Sequence, residues 1–175
     1  MFRIFAIACL SFIAAACTVK PALDYNVDQD FSQFKDFAFV PMPEDAVATI
    51  DGQRIERELS SQLQAKGIPA VAVEEADMLV DYRVDVATEL ESYGGSFSVG
   101  VGRKHGAIGV SSPDRYKERK YGKLVVEFFD PATNALVWRS ISQSQLRETM
   151  GPESRAEFIN KQITLMLENY PPKAN

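Results

Sequence analysis

Met78, Val80, Tyr82, Val84 and Val86 alternate with Asp81, Arg83 and Asp85. A period of two puts the apolar set on one face of a strand and the charged set on the other. A strand with one wet face belongs to an antiparallel sheet covered on a single side. The rest of the chain therefore has to supply partner strands and a cover.

Both are legible. Lys123–Asp130 and Ala135–Gln143 form a hairpin pattern joined by Asp130-Pro131-Ala132-Thr133-Asn134. Pro131 presets its φ, and Asn134 tolerates a left-handed conformation. In the first strand Leu124, Val126 and Phe128 face one side while Val125 and Phe129 face the other, so cover on both faces is expected. Trp138, on the return strand, is the expected core anchor. Short extended segments are expected at Leu23–Val27 and Asp36–Val40. Ser92–Gly102 alternates as well, but its glycines weaken it, and a loop is expected from there to about Tyr121.

Two helices supply the cover. Ile55, Leu59 and Leu63 recur every four residues over Asp51–Lys66, with Asp51 the expected N-cap and Gly67 the closing residue. The second helix starts near Gly151-Pro152 and ends before Pro171, burying Ile159, Ile163, Met166, Leu167 and Tyr170. Ser154 with Glu157 offers a capping box as an alternative start. The expected fold class is α+β, a mostly antiparallel sheet with two helices packed on one face.

The beginning of the chain speaks to location. Arg3 precedes a largely apolar stretch from Ile4 to Ile13, and Ala14, Ala15 and Ala16 lead into Cys17. A charged start, an apolar run of about 7–15 residues and a small-residue cleavage site make a secretory signal, too short to span a bilayer. With Cys17 directly behind, the pattern resembles the lipobox of bacterial lipoproteins. That resemblance implies cleavage after Ala16 and a lipid on Cys17. The expected organisation is residues 1–16 as signal peptide, 17–22 as lipidated cysteine and tether, and 23–172 as a single domain. Cys9 leaves with the leader, so the mature chain has no second cysteine and must hold together through its core. Thr18 follows the cysteine, where Asp resembles an enterobacterial inner-membrane retention signal. The expected place is the periplasmic face of the outer membrane, with the inner membrane and the cell surface as alternatives.

The formal net charge is −5, which argues against a nucleic-acid partner, as secretion does. The charge is uneven. Arg103, Lys104, Arg115, Lys117, Arg119, Lys120 and Lys123 cluster with only Asp114 and Glu118 against them. A basic block on an acidic body suggests an anionic partner such as lipid head groups, lipopolysaccharide or an acidic protein face. The competing reading is a solvated segment whose charges pair with carboxylates on the body.

Catalytic parts are scarce. His105 is the single histidine, and no Gly-x-Ser-x-Gly, His-Glu-x-x-His or Cys-x-x-Cys spacing exists. Gly100-Val101-Gly102 and Gly106 lack the helix that a phosphate site needs. Asp81, Asp85, Glu89 and Glu91 read as a solvated face, with Arg83 neutralising part of it. Tyr93, Phe97 and Tyr116 read as scattered surface aromatics. No catalytic residue, metal ligand or cofactor is expected.

Five stretches carry a family resemblance: Asp30–Phe39 (D-F-S-Q-F-K-D-F-A-F), Ala76–Tyr82, a Gly-rich segment from Gly94 to Gly109, Tyr121–Asp130 continuing to Leu136-Val137-Trp138-Arg139, and Asn169-Tyr170-Pro171-Pro172. In this order they resemble the bacterial lipoproteins of domain-of-unknown-function family 4136. Phe39 stands where that family usually has Trp, and Ser140 where it has Gly. The Gly-rich segment is unusually basic. The resemblance implies an α+β lipoprotein domain and no activity.

The expected function is a lipid-anchored envelope protein without enzymatic activity, a binding or structural accessory. Arg103, Lys104, Arg115, Lys117, Arg119 and Lys120 are its candidate contacts, and the membrane and an anionic envelope component or protein are its partners. One alternative is a hydrolase of cell-wall sugars, which needs a concave pocket with two carboxylates about 5–10 Å apart. The other is a small-ligand carrier with a cavity between sheet and helices.

Overall fold

The structure is a computed structural model describing residues 19–43, 45–93 and 115–172, with backbone register alone for 87–93 and 115–120. The leader, Cys17, Arg103, Lys104, His105, Phe97 and the whole Gly-rich segment lie outside the described residues. The strands are β1 (Ala22–Tyr25), β2 (Ala38–Phe39), β3 (Leu79–Tyr93), β4 (Arg115–Asp130), β5 (Ala135–Ile141) and β6 (Leu146–Arg147). The helices are α1 (Ile50–Ala65) and α2 (Pro152–Leu167). The sheet order is β1-β5-β4-β3-β2, with β6 pairing the upper part of β4. All pairings are antiparallel except β2 with β3. The fold class is α+β.

The core follows from the alternation. Met78, Val80, Leu124, Val126, Phe128 and Trp138 are buried on one side of the sheet. Ile55, Leu59 and Leu63 of α1 and Ile159, Ile163, Met166 and Leu167 of α2 pack into the same cluster. Trp138 stacks on Phe128 at 4.4 Å between ring centroids, and Tyr170 meets both edge-on. Between Phe128 and Phe129 the register slips and leaves Val137 unopposed, a bulge at the bottom of the hairpin. Val137 is buried there, and its carbonyl accepts from the Asn26 N–H beyond β1. The turn behaves as its residues require. Asp130 Oδ1 accepts from the Ala132 N–H at 2.8 Å, and Asn134 has φ 54°.

Three expectations change. Thr49, not Asp51, caps α1, its hydroxyl accepting from the Gly52 N–H at 2.9 Å. Asp51 is the second residue of the helix, in its first turn, where two arginines engage it. α2 begins at Pro152 behind Gly151, as expected, and the alternative Ser154–Glu157 start is not the one taken. Arg115 to Tyr121 is not loop but the first part of β4, paired residue for residue with β3. Val86 continues the apolar alternation yet is 71% exposed, because the helical cover ends before it. The cover on both faces of β4 is real at Val125, which is buried although it lies on the side away from the helices. In register it sits between Arg83 and Ile141.

Candidate functional site

The basic stretch becomes one strand of a two-stranded arm. β2 pairs β3 only at Leu79 and Val80, β5 pairs β4 only from Val125 onward, and β6 pairs it at Tyr121 and Gly122. Beyond those positions β3 and β4 have each other alone among the described residues. Their register sets Asp85 opposite Lys123, Glu89 opposite Arg119 and Glu91 opposite Lys117. Oppositely charged residues facing across strands each favour pairing by about 0.2–1 kcal/mol. Lys120 lies opposite Thr88 and Arg115 opposite Tyr93. So four of the six basic candidates, Arg115, Lys117, Arg119 and Lys120, share one strand segment. Two of these four are matched by carboxylates of their own chain. Tyr116 lies opposite Ser92, one register position from Tyr93.

Below the arm, the bare face of the sheet carries a cluster that the sequence alone did not announce. Glu127 is only 8% exposed, and its carboxylate accepts from Arg83 Nη1 and Nη2. Arg139 Nε lies 3.0 Å away as an ion pair. Arg83 also donates from Nε to Asp85 at 3.1 Å. The hydrogen bond to Glu127 and the nearby acids outweigh partial burial and hold the Arg83 guanidinium more firmly protonated than usual. The two arginines thus share the Glu127 carboxylate, and Arg83 lies opposite the buried Val125 in register. Of the β3 acids read as a solvated face, Asp85 pairs with Arg83, and the side chains of Glu89 and Glu91 are not among those described.

A second cluster joins the helix starts. Arg155 on α2 reaches Asp51 on α1, Nε to Oδ2 at 2.7 Å, and Arg54 reaches the same carboxylate at 2.9 Å. Partial burial pushes the Asp51 carboxyl up, but hydrogen bonds and charge from Arg155 and Arg54 win and hold it below its ordinary value. Nearby, Tyr82 donates to Glu56 at 2.7 Å. Burial first, and then that hydrogen bond to a carboxylate, raise its hydroxyl well above the usual tyrosine range.

Three shallow depressions are lined by described residues. One of about 360 Å³ lies over Ile50, Asp51, Met150 and Arg155. One of about 240 Å³ lies along Asp24–Asn26 and Leu136–Arg139, and one of about 180 Å³ between Lys20, Leu23, Ser140 and Met166. Each has a single carboxylate in its lining: Asp51, Asp24 and Glu168 respectively. None therefore offers the carboxylate pair that glycoside hydrolysis uses. Among the described residues no three His, Cys, Asp or Glu side chains converge as a metal site. No helix of the described residues is long and apolar enough to cross a membrane.

What the fold and these clusters define is an open-sheet α+β domain with a charged two-stranded arm. The sequence matches DUF4136, a domain of unknown function, over residues 21–172, and the chain belongs to that family. No curated protein matches it significantly. Among solved structures it is similar to a PDZ domain protein from Parabacteroides distasonis, with 16% identity and a TM-score of 0.58. The match covers 89% of this chain and 36% of that one, so the chain spans little more than a third of that protein's length. At this identity the likeness concerns fold alone. A PelC dodecamer from Paraburkholderia phytofirmans is more distant, with 14% identity and a TM-score of 0.47 over 83% of this chain and 95% of that one.

Proposed function

We propose that this protein is a lipid-anchored component of a bacterial envelope that works by binding rather than by catalysis. The observation that carries the reading is the run Ala14-Ala15-Ala16-Cys17 behind a short apolar leader, only a few residues ahead of β1 at Ala22. Diacylglycerol on Cys17 holds the domain close to the bilayer, since two acyl chains anchor stably where one is marginal. The outer membrane, with the domain in the periplasm, is the proposed site. The arm is the proposed contact, because it concentrates Arg115, Lys117, Arg119 and Lys120 on a strand segment whose outer edge meets no strand among the described residues.

Two experiments test this. Mass spectrometry of the chain purified from membranes should find it beginning at Cys17 with a diacylglyceryl adduct, and Cys17→Ser should release it from the membrane. A chain beginning elsewhere without lipid contradicts the anchor. A photo-reactive residue at Lys117 in cells should yield a specific adduct, whereas bulk lipid alone contradicts the binding role.

A further inference from the structure

We propose that the basic arm strand of one molecule pairs edge-to-edge with the acidic arm strand of a second copy, building a head-to-tail assembly. This rests on the reading of the arm as the binding segment and names its partner. From Tyr82 onward, the outer edge of β3 meets no strand among the described residues. The last backbone bond on that side is the Val40 N–H to the Val80 carbonyl at 2.9 Å. The outer edge of β4 is likewise without a strand over Arg115–Lys120. Among the described residues each molecule thus presents two open edges, and an open edge is a template for another strand.

The charges choose among the pairings. β3 carries Asp81, Asp85, Glu89 and Glu91 against Arg83, and the arm of β4 carries Arg115, Lys117, Arg119 and Lys120 against Glu118. Two β3 edges together, or two β4 edges together, bring mostly like charges face to face, which is unfavourable. A β3 edge against a β4 edge brings opposite charges together. The same two strands already demonstrate that compatibility within one molecule, where Glu89 faces Arg119 and Glu91 faces Lys117. The exposed Val86 lies at the start of the open edge and gains cover from a neighbouring strand.

Strand direction points the same way. β1 starts with Ala22 opposite Ile141, which lies level with Val125 and Arg83, and it runs away from the arm. The tether therefore enters every copy from the arm end. Antiparallel pairing of β4 with the next copy's β3 keeps all tethers at one end, as anchoring in one bilayer requires, while β5 and β1 of one copy and β2 of the next make the bodies fan apart below the paired arms. A two-fold β3–β3 pairing would put the tethers at opposite ends. Because the pairing is heterologous, it continues into a ring or a filament.

The test uses the full chain in detergent and two variants, Glu89→Cys and Arg119→Cys, with wild type as the background control. Each copy carries one added cysteine, so positions 89 and 119 cannot be linked within a molecule, and the wild-type chain reports any link through Cys9 or Cys17. With a short bis-maleimide, the mixture should give a cross-linked dimer that neither variant gives alone. A Glu89→Cys dimer alone, or no dimer in the mixture, overturns the proposal. A photo-adduct to a different partner from Lys117 would still support the binding reading, so the two failures are distinguishable. A second variant guards against misfolding: Glu89→Arg, Glu91→Lys, Lys117→Glu and Arg119→Glu together keep the internal ladder with its signs exchanged. It should associate with itself and lose association with wild type. Free mixing with wild type would overturn the proposal.

Discussion

The lower and upper halves of the β3–β4 hairpin are one continuous pair of strands with two different physical supports. From Leu79 to Val84, β3 and its partners bury Val80, Leu124, Val126 and Phe128 under two helices. From Val86 onward, β3 and β4 pair only with each other and briefly with β6 among the described residues, Val86 is 71% exposed, and the register sets Glu89 opposite Arg119 and Glu91 opposite Lys117. Burial of large side chains is worth kilocalories per residue, whereas exposed charge pairs are worth fractions of one. The lower half therefore fixes the fold. The upper half is free to vary without unfolding the domain, which is what a contact surface needs.

The sharpest way to break this contrast is to cut the lower half. Trp138→Ala removes the ring stacked on Phe128 and should cost about 3–5 kcal/mol, read by denaturant unfolding. A loss below about 1 kcal/mol would mean that the core is not centred there. Next comes the boundary. A Cβ at Gly122 would sit 2.4 Å from Val84 Cγ1, and the stiff β-branched valine has little room to rotate away. Gly122→Ala should therefore cost about 1–3 kcal/mol in the same measurement.

A smaller effect lies at the helix starts. The folded-state pKa of Asp51 is depressed, so its contribution is full above the ordinary carboxylate range and is lost as pH falls through the lowered value. Asp51→Asn should cost about 1 kcal/mol at neutral pH and flatten the acid limb of the stability profile. An unchanged acid limb would remove Asp51 from the account. Smallest of all is the arm. Glu91→Gln, which removes one register partner of Lys117, should change stability by less than about 1 kcal/mol, checked by thermal unfolding. A core-sized loss there would erase the distinction between the halves.

Period-two and four-residue patterns carried most of the fold. The alternation from Met78, the stripe Ile55-Leu59-Leu63 and the Asp130–Asn134 turn all lie where those residues place them. Local patterns failed where the deciding partner is remote. Asp51 reads as a cap until Arg155, on the other helix, is seen to claim it. Glu127 reads as an ordinary polar residue within a strand until Arg83 and Arg139 arrive from both neighbouring strands. The start of β4 was hidden because a run of lysines and arginines resembles a solvated loop. The signal was there in pairs: Glu89 and Glu91 are spaced by two, as are Lys117 and Arg119, so an antiparallel ladder matches them. Of the candidate contacts, Arg115, Lys117, Arg119 and Lys120 fall on this one segment, while Cys17, Arg103 and Lys104 lie outside the described residues.

The most direct test of the division of labour neutralises the arm: Arg115→Gln, Lys117→Gln, Arg119→Gln and Lys120→Gln in one full-length chain, with a photo-reactive residue at Tyr116. Thermal unfolding and in-cell adducts are read from the same protein. Tm should stay essentially unchanged, and the adducts given by the unmodified arm should be lost. Retained adducts, or a fall in Tm as large as that of Trp138→Ala, would contradict that division.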